Sequence, residues 1–502
     1  MMHLHVVAAF ALLLWWSREP PFTPWFNDSM TTWLVVLTLP IALWTCGQAF
    51  IRRARRGIRT GAHAIDRPVE SLRRLPVVLR TLALAAFVAE LTLTPWANLI
   101  GKSRLAAVPG LVDLVVVGPF LAAAVGVILC QYDVERLGRE TTAGFLDHAV
   151  PHPVTWSRSA YLGFHIRHQL LSVVVPMMLI LTAHDLTRRF ERRIDRALPI
   201  PWAPDILLGI AAAVVFVIAP WLLKHIWTTH PLPRGPLRDD LERLCRTIGL
   251  KCRDILVWRS NGMVVNAAVM GVVTPVRYVV LTDALLDAMD PDQTRAVFGH
   301  EAGHIVHRHI PYFLLFAVIS MLLASGAMEL LFQSAWMADE PARGERLIVQ
   351  AVGLITIAFV WGFGFGFVSR RFERQADLFG ARCVSPADPA LCRLPCGVHA
   401  DPPPHASSDL LCATGAEIFA GALLRVARLN GIPVHEHSWR HASIARRVAN
   451  LRRLAGDASQ LRRFERTIRA IKIVLIIGSV GGLIVSAWYV APYVVDVLRR
   501  RG

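Results

Sequence analysis

The sequence predicts a mainly α fold: a polytopic helical membrane protein that carries a small α+β core. Three observations lead there. Hydrophobic residues make up 54% of the chain and its mean hydropathy is +0.44, above the range of soluble globular domains. Apolar stretches long enough to cross a bilayer recur from end to end. Between Lys224 and His309 the hydropathy falls and β-branched runs appear instead.

The predicted spans are 33–51, 82–100, 106–130, 206–223, 311–332, 347–368 and 473–497. Shorter runs at 6–16 and 170–183 bring the expected total to about seven to nine passes. The first run lacks a basic leader and is followed by Ser17-Arg18-Glu19-Pro20-Pro21 rather than a small-residue cleavage site. It therefore reads as a retained helix. The expected organisation is a transmembrane bundle over 1–223, a catalytic segment over 224–310 and a transmembrane hairpin over 311–368. A third-ligand helix, a Cys/Pro-rich insert and further catalytic helices follow over 369–470, and a last transmembrane helix over 471–502.

A net charge of +17 would suggest nucleic acid in a soluble chain. Here the basic residues flank apolar spans, so they mark cytoplasmic loops and no nucleic-acid partner is expected. Arg52, Arg53, Arg55 and Arg56 form the clearest cluster. Placing it inside gives an inside catalytic segment if both short runs span. Arg188, Arg189, Arg192, Arg193 and Arg196 then fall outside, against the rule. Nearly all the basic charge is Arg, with Lys only at 102, 224, 251 and 472, a bias associated with GC-rich bacterial genomes. The expected location is a bacterial inner membrane with the site facing the cytoplasm, in contact with membrane lipids.

In the polar stretch, 236–245 has the apolar spacing of a helix ending near Gly249. Runs at 254–258, 263–270 and 277–281, separated by Ser260-Asn261-Gly262 and by 271–275, predict a small antiparallel sheet. Thr282-Asp283 opens a short helix. Asp290-Pro291-Asp292 supplies a cap and a first-turn proline for the next one.

That next helix carries His300-Glu301-Ala302-Gly303-His304. Histidines four apart share a helical face, so both imidazoles can reach one Zn²⁺, with Glu301 placed to take a proton from its water. A hydrolytic zinc site needs three protein ligands. Glu373 is the candidate for the third, because two apolar segments between the boxes return the chain to the side it left. His307 is a rival on the same face. Three ligands on successive turns of one helix converge poorly on a tetrahedral ion, so Glu373 ranks first. Asp377, one turn beyond Glu373, could fix the tautomer of a ligand imidazole; apart from zinc it reads as a salt bridge with Arg374. His309 reads as a helix-end group or an outer support. The metzincin pattern needs Gly at 307 and His at 310, where this chain has His307 and Ile310.

From 238 to 454 the chain resembles the gluzincin-type membrane zinc metallopeptidases that include CAAX prenyl protease 1 and HtpX. Asn266-Ala267-Ala268-Val269-Met270-Gly271 and Val279–Leu286 look like that family's strand and helix before the zinc helix. The stretch 369–377 looks like its third-ligand helix, and 438–447 resembles its late box, with Ala442 where Pro is usual. The resemblance implies a gluzincin-like core with one Zn²⁺ per chain on His300, His304 and Glu373. It also implies that His441 and Arg447 stabilise an oxyanion, and that Asn266 and Ala268 hold an extended substrate strand. Read alone, His441 is a lone helix-start histidine and Arg447 part of a charged face. The span content before the zinc box is closer to the CAAX type.

The expected function is an integral membrane zinc-dependent endopeptidase acting on membrane or membrane-associated proteins, in quality control or CAAX-like processing. The alternative is a non-catalytic zinc-containing scaffold or receptor; the intact Glu301 argues against it. A metal transporter would need acids deep in the spans, where Glu90 and Asp113 are the main ones. Cys383, Cys392, Cys396 and Cys412 cluster around the Pro-rich insert at 384–408 and could form a second metal site or a disulfide pair.

Overall fold

The computed structural model describes residues 2–18, 24–26, 28–59, 66–143, 156–198, 202–262, 264–333, 343–386, 392, 394, 411–436, 441–455 and 457–501. Cys396, most of the 384–408 insert and Ser438–Arg440 of the late box lie outside these residues. Two compact units divide the chain, residues 1–227 and 228–502. Among the described residues, eight helices are long and apolar enough to cross a membrane, and Met2–Leu14 is a shorter apolar helix.

The first unit is helical: α1 (Met2–Arg18), α2 (Ser29–Arg59), α3 (Asp66–Leu93), α4 (Trp96–Gly101), α5 (Leu111–Ala143), α6 (Arg158–His165), α7 (Ser172–Arg189), α8 (Glu191–Ala197) and α9 (Ala203–Ile226). α5 packs against α2 and α3, where Phe87 and Phe120 are fully buried with ring centroids 5.7 Å apart. The span expected at 82–100 is instead 74–93. Pro95 sets the difference: it lacks an N–H and disfavours helix at Thr94, so the chain breaks and restarts as α4. The short run at 170–183 belongs to one span, Arg158–Arg189, in which α6 and α7 join through a π-helical turn, Ile166–Leu171.

The second unit holds β1 (Thr229–Pro231), α10 (Pro236–Thr247), β2 (Asp254–Trp258), β3 (Ala267–Met270), β4 (Tyr278–Thr282), α11 (Asp283–Ala288) and α12 (Pro291–Val306). It continues with α13 (His309–Phe332), α14 (Arg343–Phe359), α15 (Gly366–Cys383), α16 (Ala413–Leu429), α17 (Ile444–Ala455) and α18 (Ala458–Arg501). The residues 458–470, grouped above with the catalytic helices, and the apolar run 473–497 thus lie on a single helix.

The sheet has the order β1-β2-β4-β3 and is mixed, not antiparallel throughout. β2 and β4 run parallel with Leu256 opposite Val280, while β3 pairs antiparallel with β4, Ala268 opposite Val280. The link after β2 carries β3 past the position of β4, so the β3–β4 hairpin returns β4 in the direction of β2. Gly271 makes that hairpin possible. Its φ is +97°, and a Cβ there would lie 2.4 Å from the Val276 carbonyl oxygen. β3 is left as an edge strand.

Local signals start the helices that matter for the site. Asp290 accepts from the Gln293 N–H at 2.8 Å, with Pro291 in the first turn of α12. Thr282 caps α11 through the Leu285 N–H at 3.2 Å. Phe298, Ala302, Ala296, Leu378, Ala381 and Phe419 from α12, α15 and α16 meet in one buried cluster with the sheet. The α12–α15 seam is close because both helices present glycine there. A Cβ on Gly380 would lie 2.8 Å from the Ala296 carbonyl oxygen, and one on Gly303 would lie 3.2 Å from the Ala376 Cα.

Candidate metal centre

The close seam brings Glu373 of α15 to the histidine face of α12. His300 Nε2 and His304 Nε2 lie 3.4 Å apart. Each lies 3.7 Å from a Glu373 carboxylate oxygen. These three residues form the one group of His, Cys, Asp or Glu among the described residues whose donor atoms could share a metal. A tetrahedral zinc with bonds of about 2.0–2.1 Å has donors about 3.4 Å apart, so the observed separations fit that ion. His307 is not in the group. Its ring lies against Phe379, centroids 5.3 Å apart, and its carbonyl accepts from Lys472 Nζ at 2.9 Å.

The buried surroundings set the charge states. Burial and the neighbouring His300 push His304 down to about 4, which keeps it in the neutral form that ligates metals. Burial also pulls on His300, but the Asp377 carboxylate outweighs it and holds that imidazole above its ordinary value. Burial raises Glu301 to about 7. The Glu301 carboxyl also accepts a hydrogen bond from the backbone of Val269, which ties it to the edge strand β3.

Supporting residues surround the three donors. Asp377 Oδ1 lies 3.0 Å from His300 Nδ1. Arg447 donates from Nε to Asp377 Oδ2 at 2.9 Å, and its Nη2 contacts Oδ1. The partner of Asp377 is therefore Arg447 and not Arg374. This changes the reading of Arg447: the edge of its guanidinium is engaged by a buried carboxylate, so it supports His300 through Asp377 before it can face a substrate. His441, half-exposed, places Nδ1 3.0 Å from Glu373 Oε2. Phe419 stacks on His300, centroids 5.8 Å apart.

Asn266 stands exposed at the start of β3. Its N–H donates to Thr282 Oγ1 and its Oδ1 accepts from the Ala267 N–H, both at 3.0 Å, so that oxygen is turned onto its own strand. Ala268 follows on the same strand, half-buried. Two residues on the imidazole side were not singled out for this contact. His309 Nδ1 lies 2.9 Å from His304 Nδ1, and His309 Nε2 lies 3.0 Å from Gln375 Oε1. Gln375 carried no signal in the sequence beyond its place two residues after Glu373.

Residues 231–455 match the model of peptidase family M48. The matched segment contains α12, α15 and α17. Over 206 residues the chain is 29% identical to a CAAX prenyl protease 1 homolog of Arabidopsis thaliana, covering 38% of this chain and 47% of that protein. Over 177 residues it is 27% identical to a protease HtpX homolog of Aeropyrum pernix, covering 34% and 54%. The chain thus spans about half the length of the curated relatives it matches. The crystal structure of S. mikatae Ste24p superposes with a TM-score of 0.38 at 14% identity, over 83% of this chain and 98% of that one.

Proposed function

We propose that this multi-pass membrane protein is a zinc-dependent endopeptidase of peptide bonds in membrane or membrane-associated proteins. The observation that carries the proposal is the meeting of His300, His304 and Glu373, with the half-buried Glu301 next to His300 in the chain. When bound by those three residues, zinc supplies Lewis acidity that brings the pKa of water toward neutral. Glu301 takes a proton from the attacking water and returns it to the nitrogen of the leaving amine. Asp377, itself held by Arg447, orients His300. His441, half-exposed beside Glu373, is the hydrogen-bonding group available to the developing oxyanion. The edge strand β3, with Asn266 and Ala268, offers backbone groups to an extended substrate.

The candidate spans support a cytoplasmic site. Four candidate spans separate the Arg52–Arg56 cluster from Thr228, an even number of crossings. Placing the cluster in the cytoplasm by the positive-inside rule puts Thr228 there too, while Arg192, Arg193 and Arg196, between the third and fourth of these spans, fall outside against the rule. In a bacterial inner membrane this arrangement suits quality control of membrane proteins first and CAAX-like processing second.

The deciding experiment compares the purified protein with its Glu301→Gln variant. The variant should bind zinc stoichiometrically and cleave nothing; turnover by the variant would sink the mechanism. Cleavage-site profiling of the active protein assigns the substrate. Preference for prenylated C-terminal peptides favours processing, and broad cleavage of unfolded membrane segments favours quality control.

A further inference from the structure

The last helix reaches the metal centre through one lysine. Lys472 of α18 donates from Nζ to the His307 carbonyl oxygen at 2.9 Å. His307 is the C-cap of α12. In an unbroken helix that carbonyl would be served by the N–H four residues on, but the residue there is Pro311, which has none. Arg308 has also left the right-handed helical region, with φ 57°. Sequence and backbone thus leave the carbonyl to a side chain. A cation suits it, because the C-terminal end of a helix carries partial negative charge.

The same ammonium lies over two rings. The Tyr312 centroid is 5.0 Å from Nζ and the Phe372 centroid 5.7 Å, within the reach of a cation–π contact. Phe372 is fully buried, precedes Glu373 in the chain and stacks on His309 with centroids 4.4 Å apart. One side chain therefore touches the end of α12, the first turn of α13 and the stretch of α15 that leads into Glu373. Those segments carry His304, His309 and Glu373.

α18 is itself closely seated on α13. Ser479 Oγ donates to the Leu315 carbonyl oxygen at 3.2 Å. A Cβ on Gly482 would lie 2.6 Å from Leu322 Cδ1, and one on Gly478 would lie 3.1 Å from Ile319 Cδ1. Small residues four apart let two helices approach closely, and this approach keeps Lys472 beside the turn between α12 and α13.

We propose that Lys472 is a positioning residue for the metal centre: its ammonium holds the α12–α13 turn so that His309 stays on His304 and Glu373 faces the two imidazoles. The inference rests on the reading of His300, His304 and Glu373 as a zinc site. It gives the C-terminal apolar helix a part in that site.

The test uses the full chain purified in detergent. Competition against a chromogenic chelator reads zinc affinity, and thermal unfolding verifies the fold. Lys472→Met should weaken zinc binding by about tenfold, the low end of the range for outer support of a ligand. Lys472→Arg can still donate to the carbonyl and should keep most of the affinity. Ser479→Ala removes a hydrogen bond from the same α13–α18 contact without touching the turn, and should leave zinc affinity unchanged. If Lys472→Met does not fold, Lys472→Gln takes its place with the same expected loss. Affinity equal to that of the unaltered chain in the uncharged variant would overturn the inference. So would a loss of the same size in Ser479→Ala, since loosened packing of α18 would then account for it. Absence of zinc binding by the unaltered chain would overturn the zinc reading, and this inference with it.

Discussion

His309 Nδ1 lies 2.9 Å from His304 Nδ1, and this contact fixes which nitrogen of His304 is available to a metal. The Gln375 amide oxygen, 3.0 Å from His309 Nε2, can only accept. His309 therefore donates from Nε2 and accepts at Nδ1, so His304 donates from Nδ1 and keeps its Nε2 lone pair toward His300 and Glu373. The contact depends on a backbone break. Arg308, between α12 and α13, has φ 57° and ψ 39°, a left-handed conformation that turns the chain before His309. On an unbroken helix, a residue five beyond His304 would point about 140° away from it.

Replacing Gln375 by Leu, or His309 by Ala, should lower zinc affinity by about 10–100-fold. Gln375→Glu still accepts from His309 and should keep most of it. Competition against a chromogenic chelator reads the affinity directly, apart from any turnover. Equal affinities across the three variants would remove the relay from the account.

The glycine seam makes a second prediction. Gly380→Ala places a Cβ against the Ala296 carbonyl oxygen and the His300 N–H, both backbone atoms that cannot swing aside. The expected cost is about 1–3 kcal/mol, the range for overpacking, read from thermal unfolding. Zinc affinity should fall with it, because separating α15 from α12 moves Glu373 away from the imidazoles.

Arg447 and Asp377 form a buried ion pair. Arg447→Met leaves Asp377 uncompensated and should cost about 3–5 kcal/mol of stability. The double variant Arg447→Met with Asp377→Asn should recover much of that loss. Chemical denaturation of the four proteins of this cycle measures the coupling, and additive losses would show that the pair does not act as one.

Asp283 gives a pH dependence. Burial raises its pKa, but hydrogen bonds from Ser260, Ala284 and Asn261 outweigh that and hold it below its ordinary 3.8. The donors are Ser260 Oγ at 2.5 Å, Ser260 N–H at 2.9 Å, Ala284 N–H at 2.8 Å and Asn261 N–H at 2.9 Å. A depressed folded-state pKa contributes stability that is fully present above 3.8 and is lost as pH falls through the folded value. Asp283→Asn should therefore flatten the acid limb of a stability-against-pH curve without altering its alkaline limb.

Much of the molecule could be read from residues taken in order. Hydropathy locates the spans because a helix in lipid must be apolar for about 20 residues. Asp290 and Pro291 mark the start of α12 because caps are local, and the four-residue spacing of His300 and His304 is a property of one helix. The strand at 254–258 is local in the same sense. The parallel pairing of β2 with β4 was not legible, since periodicity reports a strand and not its neighbour. Nor was the engagement of Asp377 by Arg447, 70 residues away.

The sequence by itself determined that this is a multi-pass helical chain with a helix carrying two histidines four apart and a second acidic helix behind a hairpin, because each of those features depends on residues within a few turns of one another. Glu373 was already the expected third donor; only the tertiary structure shows how near it comes to His300 and His304, that Arg447 is held by Asp377 and that Gln375 reaches His304 through His309. Those outcomes depend on how closely α12 and α15 approach and on a left-handed turn at Arg308, and close packing between distant segments is set by the whole fold rather than by local spacing.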